Sequence, residues 1–182
     1  WVRLADIGYT QTGTTPSTGV AEYYGSVFPF LKPADLSERS IFSVNYANEG
    51  LSKSGMRVGR RIEPGSTLMV CIGGSISKVG FVNRVCSCNQ QINFVTPFAD
   101  TARVVVAYFL NSPYFRGEVL RSAPQTTLPI LSKGKWESIP FPLPPIAEQQ
   151  RIVAKVDQLM QLCDELEAGL VQTVTQRRNV TA

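Results

Sequence analysis

Residues 142–170 read PLPPIAEQQRIVAKVDQLMQLCDELEAGL, and the reading of this stretch divides the chain. Three prolines within four residues stop both a strand ladder and a helix, because proline lacks the backbone N–H and fixes φ. From Pro145 to about Gln176 no further proline occurs, and only Gly169 interrupts the helix formers. Pro145 suits the first turn of a helix, and Glu148 favours its positive end. Ile152, Val156, Leu159, Cys163, Leu166 and Leu170 are spaced 4, 3, 4, 3 and 4, a heptad seam over nearly three heptads. Val153 and Met160 widen the apolar face at its start. Such a helix is about 45–50 Å long, whereas a domain of about 140 residues has a radius of roughly 14–15 Å. Burying the seam stabilises by about 1.5 kcal/mol or more per side chain, and leaving it wet is a liability. The pattern predicts a helix that packs on a partner helix; the other outcome is a helix folded back along its own domain.

The boundary therefore falls at 143, with a globular domain over 1–143 and a helical segment over 144–182. The chain has 182 residues, of which 43% are apolar and 18% charged, enough for one domain with a core plus an appendage. No run of 18 apolar residues predicts a membrane helix, and WVRLADIGYT lacks the pattern of a signal peptide. The chain starts at Trp1 without a methionine, as a piece cut from a longer protein does. Cys86 and Cys88 alternate in RVCSCNQQINF, so both face one side of a strand. With Cys71 and Cys163 they read as reduced structural thiols of a cytosolic protein, because no histidine is present to complete a metal site.

The missing histidines remove triads, Cys-His pairs and HExxH zinc sites. There is no GxxxxGK[ST] loop, GxGxxG fingerprint, amino-methyltransferase Pro-Pro-aromatic run or Asp…Glu-x-Lys nuclease pattern. Binding is thus expected rather than catalysis, with no catalytic residue and no metal or cofactor of the chain's own.

Charge favours a polyanion. Residues 1–141 hold fourteen Lys/Arg against nine Asp/Glu, a net of +5, whereas residues 142–182 hold four against five. A basic globular part beside a slightly acidic tail suits nucleic acid, or is mild basicity without a partner. Within the domain, Val27–Leu31, Ser66–Ile72, Val79–Val85 and Gln91–Val95 read as strands, and EPGS (63–66) and NEG (48–50) as turns. Asp100 or Thr101 is placed to cap a helix to Leu110 that buries Val104, Val105, Tyr108 and Phe109. Ser112 and Pro113 open another, with Phe115 and Val119 inward. Residues 123–143 return to short extended pieces around Leu128–Leu131 and Ser138–Phe141. The fold class is mixed α/β (α+β) followed by a long C-terminal α-helix.

The helical stretch closely resembles the conserved region of DNA specificity (S) subunits of type I restriction–modification systems. The match runs through Pro142, Leu143, Pro144, Pro145, Ile146, Ala147, Glu148, Gln149, Arg151, Ile152 and Val153, and continues through Leu159, Met160, Leu162, Cys163, Asp164, Leu166 and Glu167. Trp1, Leu4, Asp6, Ile7, Gly13, Thr15, Pro16 and Ser17 are similar to the family's domain opening. EPGSTLMVCIGGSISKVGFV and CNQQINFVTP resemble its internal segments more loosely. The resemblance implies a target recognition domain over 1–143, and a helix that pairs as an antiparallel coiled coil. It implies double-stranded DNA as ligand, a modification methyltransferase (M) subunit as partner, and a restriction (R) subunit through the complex. S-adenosylmethionine, ATP and magnesium then belong to those partners. One domain with one helix is either a half-length protein that pairs as a homodimer or half of a full S subunit. A self-paired strut of about 45 Å compares with one DNA turn of about 34–36 Å, and the pair would read two inverted half-sites.

Candidate DNA contacts follow from residue type. SKSGMRVGRR (52–61) supplies Lys53, Arg57, Arg60 and Arg61, suited to guanine or phosphate, or is a solvated loop. GGSISKVG offers Ser75, Ser77 and Lys78 on a turn, or is a plain hairpin. Asn89, Gln90 and Gln91 carry amides that pair with adenine, or that satisfy buried backbone. RSAPQTTLPILSKGK (121–135) gathers Arg121, Gln125, Thr126, Thr127, Lys133 and Lys135 as a groove loop. TQTGTTPST (10–18) is hydroxyl-rich, suited to phosphates or to a cap or turn. Tyr9, Tyr23, Tyr24 and Trp136 are expected in packing rather than stacking on bases. The rival readings are a protein-interaction adaptor with an incidental basic surface, which leaves the charge split unexplained, and an enzyme in its own right.

Overall fold

A computed structural model describes residues 1–98, 103–123 and 128–180, with side chains through 170. The chain divides into two units, Trp1–Leu143 and Pro144–Ala182.

The first unit runs β1 (Val2–Arg3), α1 (Leu4–Ile7), β2 (Gly8–Thr12), β3 (Tyr24–Leu31), β4 (Gly50–Leu51) and α2 (Lys53–Val58). It continues with β5 (Thr67–Val70), β6 (Val79–Phe81), β7 (Ser87–Cys88), β8 (Ile92–Pro97), α3 (Arg103–Leu110), α4 (Pro113–Ser122), α5 (Lys133–Glu137) and β9 (Pro140–Phe141). The central sheet is antiparallel in the order β2-β8-β5-β6. A second sheet, β4-β3-β7, joins an antiparallel and a parallel pair, and β1 pairs with β9.

The central strands β5 and β8 are buried on both faces, so they read as continuous apolar runs rather than as an alternation. On one face, Leu68 opposite Phe94 and Val70 opposite Ile92 join Leu31, Leu36, Ile62, Val82, Cys86 and Cys88 in one cluster. The expectation that Cys86 and Cys88 share a side is met there. Burial pushes the Cys71 and Cys86 thiols up to about 12, and the Cys88 thiol well above its ordinary value. On the other face Met69 receives the Trp136 indole N–H at 3.3 Å, so the largest side chain of the core is also hydrogen-bonded.

The helix at Pro113 forms as its sequence predicts. Ser112 Oγ accepts from Phe115 N at 3.2 Å, Pro113 sits in the first turn, and Phe115 and Val119 are fully buried. The helix before it buries Val105 as expected, but its covered face is shifted from the rest of the expected set. Val105, Val106, Ala107 and Leu110 are covered, and Val104, Tyr108 and Phe109 are half-buried. Phe109 lies in a ring cluster with Tyr114, Phe115 and Phe141. Its candidate caps, Asp100 and Thr101, lie outside the described residues.

The expected strand Val79–Val85 ends at Phe81 and gives way to a bend at Asn83–Arg84. Residues 53–58 are helical rather than a loop, since Ser52 Oγ accepts from Gly55 N at 3.0 Å and opens α2, whereas Arg60 and Arg61 follow it in irregular chain. A Cβ on Gly55 would lie 1.9 Å from Tyr23 O, so only glycine lets α2 dock there. Residues 133–137 are likewise helical, capped by Ser132.

The second unit is one helix, α6 (Ile146–Val180), about 50 Å long. Pro145 precedes its first residue and accepts from Glu148 N and Gln149 N at 2.8 and 3.0 Å. Along the seam Ile152 and Val156 are half-buried, and Leu159, Cys163, Leu166 and Leu170 are exposed. None of the described helices is long and apolar enough to cross a membrane.

Candidate nucleic-acid interface

Antiparallel register decides which loops meet. β2 ends at Thr12 opposite Asn93, β5 ends at Val70 opposite Ile92, and Val79 opens β6 opposite Met69. Segments 13–18, 71–78 and 89–91 therefore leave the same end of the central sheet. Residues 128–132 join them: Leu131 N donates to Cys71 O at 2.8 Å, Gly73 N to Pro129 O at 3.0 Å, and Ile72 bridges Ile130. Four stretches singled out separately in the sequence are thus gathered at one rim. The packing is close enough to demand glycine, since a Cβ on Gly13 would lie 2.2 Å from Asn89 O.

The amides at this rim split in role. Asn89 is only 7% exposed; its Nδ2 donates to Gln91 Oε1 at 2.9 Å and its Oδ1 accepts from Gln91 N at 3.2 Å. These two satisfy each other and the loop backbone. Gln90 is exposed and accepts from the Thr15 hydroxyl. Ser77 is buried at φ +73°, a left-handed conformation that a serine adopts only when its surroundings hold it. Its N–H donates to Val70 O at 2.9 Å.

Lys78 faces a polar cleft with Ser37, Glu38, Ser75, Ser77, Asn111 and Arg116. Its side chain is 15% exposed, and its ammonium donates to Pro33 O at 3.3 Å and lies 3.9 Å from Glu38. Arg116 of α4 lines the same cleft, a contribution that its position gave no sign of in the sequence.

A second groove follows the open edge of β2, lined by Tyr9, Thr10, Gln11, Thr12, Arg60 and Lys133. It unites Arg60 and Lys133, residues 73 positions apart in the sequence, with the hydroxyl-rich opening. Lys133 donates to Glu137 and, at 3.3 Å, to Thr10 Oγ1, which itself donates to Glu137 at 2.6 Å. Burial alone would raise the Glu137 pKa; hydrogen bonds from Lys133 and Thr10 and the charges of Lys133 and Arg3 leave it below its ordinary value. Tyr9, expected in packing, is 58% exposed here. Residues 10–12, expected to contact phosphates or to form a cap or turn, lie with it in an edge strand that no apolar alternation announces.

The remaining candidates scatter. Lys53 and Arg57 are exposed on α2 without an ion pair among the described residues. Arg61 pairs with Glu63 at 2.6 Å, Arg121 pairs with Glu118, and Lys135 donates to Ser122 O at 3.3 Å. Gln125, Thr126 and Thr127 lie outside the described residues. Among the described residues no group of three or more His, Cys, Asp or Glu side chains is placed to hold a metal ion.

A family model described as "Type I restriction modification DNA specificity domain" matches residues 1–176. The type I restriction enzyme MjaIX specificity subunit of Methanocaldococcus jannaschii is 25% identical over 152 residues, 82% of this chain and 35% of its own length. The type I restriction enzyme EcoR124I/EcoR124II specificity subunit of Escherichia coli is 27% identical over 188 residues, 98% of this chain and 45% of its own. In fold the chain is similar to the HsdS subunit of Thermoanaerobacter tengcongensis, with a TM-score of 0.66 at 20% identity, covering 93% of this chain and 39% of that one. A chain from a structure of the assembly and conformational transition of the type I R-M system gives 0.72 at 22% identity, covering 95% and 41%. These structures share its mixed α/β architecture with a long C-terminal helix, and the chain spans less than half the length of each of these relatives. The chain belongs to the type I restriction–modification DNA specificity domain family.

Proposed function

We propose that this chain reads a short sequence of double-stranded DNA as the specificity component of a type I restriction–modification system, and is not itself catalytic. The observation that carries the reading is the gathering of stretches 13–18, 71–78 and 89–91, with the mostly apolar 128–132 bonded beside them, at one end of a four-stranded sheet. Three strand spacings make that end about 14 Å across, comparable with a major groove about 12 Å wide. Cationic side chains flank it at both sheet edges, Arg60 and Lys133 beside β2, and Lys78 and Arg116 beside β6. Phosphate contacts from these cations would fix the register, and polar side chains beside and between them would read bases.

Adenine methylation and cleavage are assigned to M and R partner subunits in the cytoplasm, which bring S-adenosylmethionine, ATP and magnesium. The helix α6 pairs through Ile152, Val156, Leu159, Cys163, Leu166 and Leu170 with an antiparallel companion, either a second copy or the other half of a full-length subunit. The exposure of Leu159, Leu166 and Leu170 supports this, since a lone apolar seam of this length is a liability in water.

The test is selection of bound duplexes from a randomised pool at fixed salt, with the mass of the complex measured in the same buffer. A dimer that enriches two inverted copies of one motif at constant spacing is expected. No enrichment, with and without the methyltransferase, would sink the reading in favour of a helical adaptor.

A further inference from the structure

We infer that Gln11 is a specificity-determining residue that recognises adenine in an A·T pair through the major groove, with Tyr9 holding its amide in place. The inference rests on the DNA-reading role proposed above, and it names a base and a residue that the role alone does not.

β2 is the terminal strand of its sheet, so one of its edges is open. Phe98 N donates to Ile7 O and Gly13 N to Ile92 O. In an antiparallel pair the bonded positions alternate, so Tyr9 and Gln11 direct their backbone toward β8, and Thr10 and Thr12 direct theirs to the open edge. Side chains alternate between faces, which places Tyr9 and Gln11 together and Thr10 and Thr12 on the other side. Thr10 and Thr12 are engaged, with Glu137 and with Asn93 Oδ1 at 2.8 Å. The Tyr9–Gln11 face is the one left to meet a ligand.

The Gln11 side chain is half-buried, and its Nε2 donates to Tyr9 Oη at 2.5 Å. A carboxamide nitrogen has two hydrogens. One is held by Tyr9; the other and Oε1 remain as a neighbouring donor and acceptor. Adenine presents N7 as acceptor and N6–H as donor in the major groove, the complement of that pair. Guanine presents two acceptors, so its O6 would face Oε1. Thymine presents an acceptor and a methyl group, and cytosine only a donor. Fixing the amide beforehand reduces the entropy lost on contact. Arg60 and Lys133 line the same groove, so the backbone of the duplex is drawn to the edge where Gln11 waits. Strands are known to enter grooves as readers, so a helix is not required.

The experiment is the same duplex selection, run in parallel on the full chain, on Gln11→Ala, on Gln11→Glu and on Tyr9→Phe, each with its thermal midpoint measured. The unsubstituted chain is expected to select a motif with one A·T pair that it prefers by about 5- to 100-fold. Gln11→Ala should lose the preference at that pair alone, with the midpoint unchanged. Gln11→Glu should turn the preference to cytosine, because a carboxylate accepts from N4 and donates nothing. Tyr9→Phe should weaken the adenine preference without moving it. Retention of every preference in Gln11→Ala overturns the assignment and leaves DNA recognition intact. A chain that enriches nothing, alone or with its methyltransferase, overturns the recognition reading and this assignment with it.

Discussion

Lys133 shows how a candidate from the sequence gains a defined place. It is held by Glu137 and Thr10 in the groove with Arg60, so its charge stands at a fixed point. Glu137 has a lowered pKa. Its contribution to stability is therefore complete above the ordinary carboxylate range, and is lost as pH falls through the lowered value. Urea midpoints measured from pH 6 down to 3 should fall for the natural chain, and Glu137→Gln should flatten that part of the profile. An identical profile in the variant would remove Glu137 from the account. The thiols make a second prediction at this scale. Cys71, Cys86 and Cys88 are buried with raised pKa values, so at pH 8 they stay protonated and resist a thiol reagent until the domain unfolds. Cys163 is exposed on the helix and should react in the folded chain. The absence of histidine and the places of the basic and amide side chains were legible in the sequence. The inward turn of Asn89 and Gln91 was not, because an amide reads the same whether it meets a base or its neighbour.

At the scale of elements, strong local signals survived folding. The Ser112–Pro113 start of α4 follows from a cap and a fixed φ, both local causes. Ser112→Ala should cost about 1 kcal/mol, read from the denaturation midpoint. The long helix α6 was legible for the same reason, since its propensity and heptad spacing need no knowledge of the rest of the chain. The self-pairing proposed for it is tested by Leu166→Asp, which places a charge in the seam: under that proposal the natural chain sediments as a dimer and the variant as a monomer. A dimer that persists would place the partner contact elsewhere. Short elements were not legible: α2 and α5, at six and five residues, have too few turns to show a periodicity. The edge strand β2 carries polar residues on both faces, so no apolar alternation announces it.

For the whole molecule, the positive excess in residues 1–141 predicts an affinity for duplex DNA that falls steeply with salt. Arg60→Ala should lower the slope of log K against log salt by about one, equally for all sequences. Lys78→Ala should change it by less, because that ammonium is mostly buried on Pro33 O beside Glu38. Equal slopes for Arg60→Ala and the natural chain would exclude Arg60 from the phosphate contacts. The sequence by itself determined the division near residue 143, the mixed fold class, the seam of α6 and the family, because each rests on local pattern or on a long motif. Only the tertiary structure decided which stretches share a rim and which cations line the edge of β2. That depends on strand order and register, which bring residues 11, 60 and 133 together across chain separations that no local pattern encodes.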